Sequence, residues 1–352
     1  MRLQIAITLF VGMLSGAALL GVRSVAQPSL DPPAGPVERS QRFGLGTVIN
    51  ATNTPGVGDA LFTITEPGLY YLADNITITD FTTFEGKLFA IEIASDDVTL
   101  DLNGFTIARQ RLTNPLGSDS EDTQRGSNLP PEQSIAITTL DNGASGLHIS
   151  NGNIRGFATG VRSTPVVFGG QTGTDSVLER MDIESSHPNR DGMNLGTGWT
   201  VRDCHVRSAG TGIRATASGF GANNIRVIDC TVISVGTGIN SDNALIQGCV
   251  VTSQQSGIIA SDAVIRSCVV VAGETGIFAN RSVIESCRAR TSSDFAPRAA
   301  IEADDCVIAN CFASAPSSNP AFDISGLSVI SNSTGNLNSN VEFGVEVLNC
   351  RL

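Results

Sequence analysis

Charged and aromatic side chains are scarce in this 352-residue sequence. Charged residues make up 16% and aromatic residues 5% of it, and Lys87 is the only lysine. The 34 acidic side chains outnumber the 22 basic ones, so the formal net charge at pH 7 is −12. An acidic chain without a basic stripe does not attract a phosphate backbone. Nucleic-acid binding is therefore not expected.

Long apolar runs are also absent, except at the N-terminus. There Arg2 precedes the apolar stretch Ile5–Val22, and the small residues Ser24–Ala26 follow it. This order predicts a secretory signal peptide over residues 1–26. A single membrane anchor is the alternative, because the run approaches the length of a membrane span. With a cleaved signal we expect no membrane span and a secreted, periplasmic or cell-surface protein.

The rest of the chain divides into a short leader and one domain. Residues 27–55 begin with four prolines before Ser40 and predict a flexible leader. From residue 56 to 352 a unit of about twenty residues recurs, most regularly between Thr200 and Ala313. Cys230, Cys249, Cys268 and Cys287 lie 19 residues apart within it. A fixed period of this size indicates stacked repeats, and hence a single elongated domain.

Within each unit the apolar residues alternate as they do in strands. An isoleucine lies three residues before the cysteine, whereas the next position holds Gln247, Arg266 or Glu285. Short alternations of this kind, separated by Gly, Ser, Asn and Asp, predict short strands joined by tight turns. No segment of the unit is long enough for a crossover helix. We therefore predict an all-β fold, a single-stranded parallel β-helix of roughly eleven coils stacked about 4.8 Å apart.

The eight cysteines are predicted to be buried and mostly reduced, although disulfides are common in secreted chains. Equivalent cysteines stack on one another in a parallel β-helix, which keeps their Cβ atoms about 4.8 Å apart. A disulfide prefers about 3.8 Å. No ladder of equivalent positions combines cysteine with histidine or carboxylate, so no metal or other cofactor is expected.

Three motifs carry a resemblance to a known group of proteins. They are the run P-G-L-Y-Y-L within Phe62–Leu72, the stretch Ile91–Ile107, and N-G-N-I-R-G-F at Asn151–Phe157. They resemble secreted bacterial right-handed parallel β-helix repeat proteins, whose fold is similar to that of the pectate-lyase-like superfamily. The resemblance covers about Phe62–Cys350 and implies a right-handed coil, as parallel crossovers generally are. It implies little about function, since many members of that group have no assigned activity.

One cluster of polar residues breaks the regularity of the coils. When three consecutive coils are aligned on the cysteine position, the residue one after it is Asn153, Asp182 or His205, and the residue three after it is Arg155, Glu184 or Arg207. The candidate site residues are Arg155, Asp182, Glu184, His205 and Arg207. In-register stacking places Asp182 beside His205, and Glu184 between the two arginines. Three insertions are predicted to wall this cluster, namely Arg109–Gln133, Thr164–Asp175 and Ser185–Arg190.

Two functions fit this cluster. A polyuronate lyase needs an arginine or a cation to neutralise the uronate and a base for its α-proton; calcium is expected only under this alternative. A surface ladder of opposite charges, which offsets like-charge stacking, needs no ligand at all. We predict a secreted β-helix that binds polysaccharide or has a structural role at the cell surface, with a polysaccharide lyase or related carbohydrate-active enzyme as the alternative. The oligomeric state is left open.

A second motif, N-R-D-G-M at Asn189–Met193, resembles the Asn-Thr-Asp-Gly motif of polygalacturonases. That family has a pair of aspartates one coil later, where this chain has Gly210-Thr211-Gly212. Without a second carboxylate there is no acid and base pair for glycoside hydrolysis. The sequence therefore argues against a polygalacturonase, and Asp191 is expected to cap backbone amides.

Overall fold

A computed structural model describes residues 46–78, 88–109, 134–139, 144–163, 175–215, 224–292, 298–316, 319–336 and 345–351. They belong to one compact unit, Leu45–Leu352. The predicted signal peptide lies outside the described residues, as does the leader up to residue 45. Thr47–Val48, within the stretch assigned to the leader, forms a strand that pairs with Tyr70 and Tyr71.

The described chain winds through three sheet faces in a repeating order, and all pairings between its strands are parallel. The first face has eleven strands. The second and third faces form one 21-stranded sheet, because two ten-residue strands, His148–Phe157 and Ser176–Ser185, bend from one face into the other. The sequence therefore predicted a parallel β-helix correctly, while the number of coils stays a prediction.

The strands are assigned to the faces as follows. The first face comprises Ala60–Ile64, Phe89–Ile93, Ile135–Thr139, Thr159–Ser163, Met193–Asn194, Ile213–Ala215, Ile239–Asp242, Ile258–Ser261, Ile277–Asn280, Ile301–Asp304 and Phe322–Ser325. The second comprises Thr47–Val48, Gly68–Tyr71, Val98–Asp101, the first halves of the two long strands, Trp199–Arg202, Ile225–Ile228, Ala244–Gln247, Val264–Arg266, Val283–Glu285, Val307–Ala309, Val329–Ser331 and Glu346–Leu348. The third comprises Ile76–Ile78, Thr106–Arg109, the second halves of the long strands, His205–Ser208, Thr231–Ser234, Val250–Ser253, Val269–Ala272, Arg288–Thr291 and Phe312–Ser314.

The interior consists of ladders of equivalent apolar residues. Ile246, Ile265 and Ile284 stack on the second face, and Val251 and Val270 stack on the third. All five are buried. Burying one such side chain stabilises the fold by about 1.5–3 kcal/mol, and the ladder repeats this gain in every coil.

Tight corners separate the faces, and left-handed residues form them. The corner between the second and third faces, called here the second corner, has a positive φ at Asn151, Asp203, Asp229, Gly248 and their equivalents. The first corner, between the first and second faces, has one at Asn243 and Asp262. Gly, Asn and Asp adopt this conformation at the lowest cost, which explains why these residues punctuate the repeat.

The glycine before each first-face isoleucine is required by close stacking. A Cβ atom at Gly238 would lie 2.2 Å from Cγ1 of Val251 and 2.5 Å from the carbonyl oxygen of Gly257. A Cβ atom at Gly257 would meet the carbonyl oxygen of Gly276 in the same way, at 2.5 Å. The recurring hydroxyl-Gly-Ile triplet therefore marks the place where the chain enters the first face.

The cysteine ladder is unbridged and buried, as predicted. All eight cysteines are free, and only Cys350 is partly exposed. The thiol of Cys268 donates to the carbonyl oxygens of Arg266, at 3.3 Å, and Ile246, at 3.7 Å. Hydrogen bonding to the neighbouring thiol of Cys249, together with burial, raises the pKa of Cys268 to about 12. Cys249 and Cys287 have their pKa raised to about 12 for the same reasons.

The raised thiol pKa values predict a loss of stability in alkali. An unfolded thiol has a pKa of about 8.5, so the ladder contributes its full stability below that pH and loses it as the pH rises towards 12. Each pH unit in this window costs about 1.4 kcal/mol for each such thiol. Urea unfolding under reducing conditions between pH 8 and about 11 should show this decline.

Cys268→Ala should make the decline shallower, because one thiol no longer titrates in the unfolded chain. Cys350→Ala is the matched control, since Cys350 is the partly exposed member of the set. Equal slopes for the wild type and Cys268→Ala would show that this thiol does not stay protonated in the folded protein.

Candidate functional site

The five charged residues singled out by the sequence lie together at the start of the third face. Asp182 is in register with His205 in the next coil, and Glu184 is in register with Arg207. In the preceding coil Arg155 is in register with Glu184. The predicted stacking is therefore confirmed. We call these residues, Arg155, Asp182, Glu184, His205 and Arg207, the charged patch; their function stays a prediction.

Asp182 is the centre of the charged patch. Its Oδ2 atom lies 3.6 Å from Nη2 of Arg155, and its Oδ1 atom lies 3.7 Å from Nδ1 of His205. Arg155 is thus directed towards Asp182, although its Cα atom is in register with Glu184. The side chains are between 32% and 54% exposed, so the ion pairs face solvent. Pairs of this length and exposure contribute little to stability.

Two shallow depressions each contain part of the charged patch. One, of about 400 Å³, is lined by Gly104, Asn151, Gly152, Asn153, Arg180, Met181, Asp182, Asp203 and His205. The other, of about 380 Å³, contains Glu184 and Arg207 next to Ile233 and Val235. The first offers amide, carboxylate, imidazole and guanidinium groups within one open surface. The second is more apolar.

A cluster that the sequence reasoning missed surrounds Glu179, at the end of the second face. The Glu179 side chain is only 3% exposed and forms ion pairs with Arg180 of its own coil and Arg202 of the next. Nε of Arg202 donates to Oε2 of Glu179 at 2.5 Å. In the preceding coil, Nε2 of His148 lies 3.2 Å from Oε1 of Glu179. One buried carboxylate thus holds basic side chains from three coils.

Opposing effects determine the pKa of Glu179. Burial, the largest of them, raises it. The hydrogen bonds from Arg202 and His148 and the positive charges of Arg180 and Arg202 lower it, and together they prevail. Glu179 is therefore ionised near neutral pH and is a weak base. Its role is to hold the surrounding cations in place.

Arg180 connects the Glu179 cluster to the charged patch. It occupies the second corner with a φ of 52°, where the neighbouring coils have Asn151 and Asp203. Its Nε donates to Oδ1 of Asn151 at 2.6 Å, and Arg180 also lines the depression at Asp182. Left-handed backbone at an arginine costs about 1–2 kcal/mol. Such strain is often found at functional sites.

The motif at Asn189–Met193 forms a separate cluster. Asp191 is buried and accepts hydrogen bonds from Nε of Arg214, at 3.0 Å to each carboxylate oxygen, and from Nδ2 of Asn194 at 3.1 Å. The expectation that Asp191 caps backbone amides is thus replaced by a pairing between side chains. Arg214 and Asn194 are neighbours on the first face.

The insertions do not all adjoin the charged patch. Residues 110–133 and 164–174 lie outside the described residues, but the ends that they join are described. Ser163 ends a first-face strand and Ser176 begins a second-face strand, so the insertion Thr164–Asp175 connects these two faces and does not border the third. Arg109 and Ile135 are the ends of a third-face and a first-face strand. Ser185–Arg190 likewise leads from the third face to the first.

Among the described residues, no group of three or more His, Cys, Asp or Glu side chains is placed to hold a metal ion. The described part of the chain also contains no helix of the length and apolarity that crossing a membrane requires.

Comparison with known proteins shows the fold but no family. No protein-family model and no curated protein matches the sequence. Among solved structures, the chain is similar to the A-module of the Azotobacter vinelandii mannuronan C-5 epimerase AlgE6, with a TM-score of 0.50, 10% identity, and coverage of 81% of this chain and 90% of that one. The A-module of the Azotobacter vinelandii mannuronan C-5 epimerase AlgE4 is similar as well, with a TM-score of 0.50, 12% identity, and coverage of 81% of this chain and 89% of that one. The fold is a right-handed parallel β-helix, as expected.

Removing the charge of Glu179 should destabilise the protein. Glu179→Gln leaves Arg180 and Arg202 without their anion. We expect the free energy of unfolding to fall by about 1–3 kcal/mol. Because both arginines are half exposed, water replaces part of the lost interaction. The lowered pKa of Glu179 means that its contribution is present above the unfolded value of about 4.3 and is lost as the pH falls through the folded value. Urea unfolding at neutral and acidic pH measures both effects.

Glu285→Gln is the matched control. Glu285 occupies the position equivalent to Glu179, five coils further along, but its side chain is exposed. It should change stability by less than about 0.5 kcal/mol. If both substitutions have the same effect at neutral pH, the buried carboxylate does not hold the cluster together.

Proposed function

We propose that this protein binds polysaccharide through the charged patch and the adjoining Arg180. The observation that carries the proposal is the arrangement around Asp182. Arg155, Asp182 and His205 come from three successive coils and meet at an open depression of about 400 Å³. The weak internal pairs leave donors and acceptors free to contact a ligand, because a guanidinium has five N–H groups and a carboxylate has about four acceptor sites.

The residue types support an extended, hydroxyl-rich ligand. Asn151 and Asn153 line the same depression, and their amides donate and accept. The surface is shallow and polar, whereas sites for small apolar ligands are concave and mostly apolar. A long polymer gains affinity by contacting several coils at once, and the parallel stack offers equivalent positions about 4.8 Å apart.

An acidic polysaccharide fits better than a neutral one. Four exposed arginines come from three consecutive coils, namely Arg155, Arg180, Arg202 and Arg207. Glu179 is already paired with Arg180 and Arg202. Guanidinium groups bind carboxylates through paired hydrogen bonds. The AlgE6 and AlgE4 A-modules, which share the fold, are named as epimerases of mannuronan. The exposed arginines are the basis for an acidic polysaccharide as the ligand, and the shared fold supports it.

A catalytic role is the second candidate, and the pairing of Asp182 with His205 favours it. A lyase needs a base near the uronate and a cation at its carboxylate, which the His205 and Arg155 side chains could provide. Incubation with alginate or polygalacturonate, with and without calcium, distinguishes the two. Unsaturated products appear with a lyase and not with a protein that only binds.

The location follows from the N-terminal sequence. A signal peptide over residues 1–26 would deliver the domain to the periplasm, the cell surface or the medium, where acidic polysaccharides occur. Fractionation of cells that produce the full chain, with N-terminal sequencing of the exported protein, tests this part of the proposal.

Binding should depend on the charged patch and not on arginine in general. Arg155→Ala and Arg207→Ala should each weaken binding to alginate or polygalacturonate about tenfold or more, which corresponds to about 1.4 kcal/mol. Affinity electrophoresis in gels that contain the polysaccharide measures this, with neutral dextran as the reference polymer.

Arg290→Ala is the matched control. Arg290 is exposed and lies in the same third-face row as Arg207, four coils further along. It should leave binding unchanged. Equal effects of Arg207→Ala and Arg290→Ala would contradict a local site, and the absence of binding to every polymer would leave the structural role.

A further inference from the structure

Two neighbouring coils of the second face carry opposite charges in opposite order. In one coil Asp262 precedes Val264 and Arg266; in the next, Arg281 precedes Val283 and Glu285. The strands are in register, with Val264 beside Val283 and Arg266 beside Glu285. We call these six residues the paired-charge surface. It lies several coils away from the charged patch and on another face.

The paired-charge surface is complementary to itself. A two-fold axis along the strand direction, midway between the two coils, keeps the order along a strand and exchanges the coils. It therefore brings Asp262 opposite Arg281 of a second copy, and Arg266 opposite Glu285 of that copy. The same operation repeats both contacts, so four pairs of opposite charge surround the two valines. An isologous interface requires this kind of self-complementarity.

We propose that a second copy of this chain docks on the paired-charge surface, with the two β-helices antiparallel. Opposite charges placed face to face favour this contact. A two-fold axis along the β-helix would instead set Asp262 against Arg266 and Arg281 against Glu285 of the second copy. The mixture of variants described below should recover dimers only in the antiparallel arrangement. The dimer would leave the charged patch on the third face uncovered. The inference is therefore independent of the proposed polysaccharide binding.

Exposed apolar residues lie at the centre of this surface. Val264 and Val283 are each 38% exposed, and Val307 in the following coil is 46% exposed. The proposed axis sets Val264 against Val283 of the second copy, and Leu245 against Val307. Contact between these rows would remove their apolar area from water, which is favourable.

Tight corners border the paired-charge surface, and Asp262, Val264 and Arg266 also line an open depression of about 850 Å³. At the first corner each of these coils turns through a single left-handed residue, at Asn243, Asp262, Arg281 and Asp305. At the second corner the equivalent residues are Gly248, Ser267, Ser286 and Asn310, all small.

The contact area predicts a weak dimer. Four strands spaced about 4.8 Å apart, each contributing about five residues, give a footprint of about 300 Å² per copy. Stable interfaces need about 800 Å² per partner, so we expect dimers only at high protein concentration.

The same charges also have partners within one copy. Nε and Nη2 of Arg281 donate to Asp262 at 2.8 and 2.6 Å, and Arg266 donates to Oε1 of Gln247 at 2.8 and 2.5 Å. Each arginine keeps further N–H groups for a second partner. A charge ladder within one copy is thus the competing explanation, and the experiment must separate it from docking.

Two variants with exchanged charges distinguish docking from a charge ladder within one copy. A copy with Arg266→Glu carries two carboxylates at positions 266 and 285, and a copy with Glu285→Arg carries two guanidiniums. Each variant alone should be monomeric where the wild type dimerises, because like charges would face each other. An equimolar mixture should dimerise again, since the two-fold axis then pairs every carboxylate with a guanidinium.

Sedimentation equilibrium of the full chain compares the wild type, the two variants and their mixture over a wide range of protein concentration. A salt concentration of about 0.15 M limits long-range repulsion between the acidic chains to about 8 Å. Arg290→Glu, on the third face, should dimerise like the wild type. Far-UV circular dichroism checks that each variant is folded.

A disulfide trap gives a second measurement that does not change charge. Val264→Cys mixed with Val283→Cys should form a cross-linked heterodimer on mild oxidation, whereas the wild type, with seven of its eight thiols buried, should not. A wild type that stays monomeric, a mixture that fails to recover dimers, or the absence of this cross-link would overturn the proposal.

Discussion

Stacking in register is the constraint on which this structure depends. Every side chain of a coil lies about 4.8 Å from its equivalents in the coils above and below. Repetition is favourable for isoleucine and valine, which fill the interior without gaps, and for thiols that stay neutral. It is unfavourable for charge. In the row of Arg155, Glu184 and Arg207 the charges accordingly alternate in sign.

This constraint explains how much the sequence could predict. The period of the apolar residues determines which positions face inward, and the constant distance from the cysteine position determines the register. The β-helix and the pairing of Asp182 with His205 followed from these two facts. Side-chain direction did not follow, because register fixes Cα positions only. Arg155 is a case in point: it is aligned with Glu184 but reaches Asp182.

The Glu179 cluster was missed for a different physical reason. Glu179 occupies the position that Gln247, Arg266 and Glu285 hold in other coils, and alternation marks that position as outward. Its burial comes from Arg180, Arg202 and His148. Long side chains from neighbouring coils can cover an outward carboxylate, and no rule of periodicity contains that information. The one available signal was an arginine, Arg180, at a corner where glycine, asparagine and aspartate are preferred.

Arginine at a left-handed corner occurs at Arg180 and Arg281 among the described corners. In both cases its guanidinium pairs with a carboxylate, and in both cases the surface nearby combines charges of opposite sign. The local backbone cost is of the same order as the gain from one charge-assisted hydrogen bond. Stability therefore does not explain why arginine replaces a better corner residue at these two places. A side chain at a corner extends into solvent between two faces. A long arginine there can contact a ligand or a second molecule, whereas the side chain of asparagine is too short.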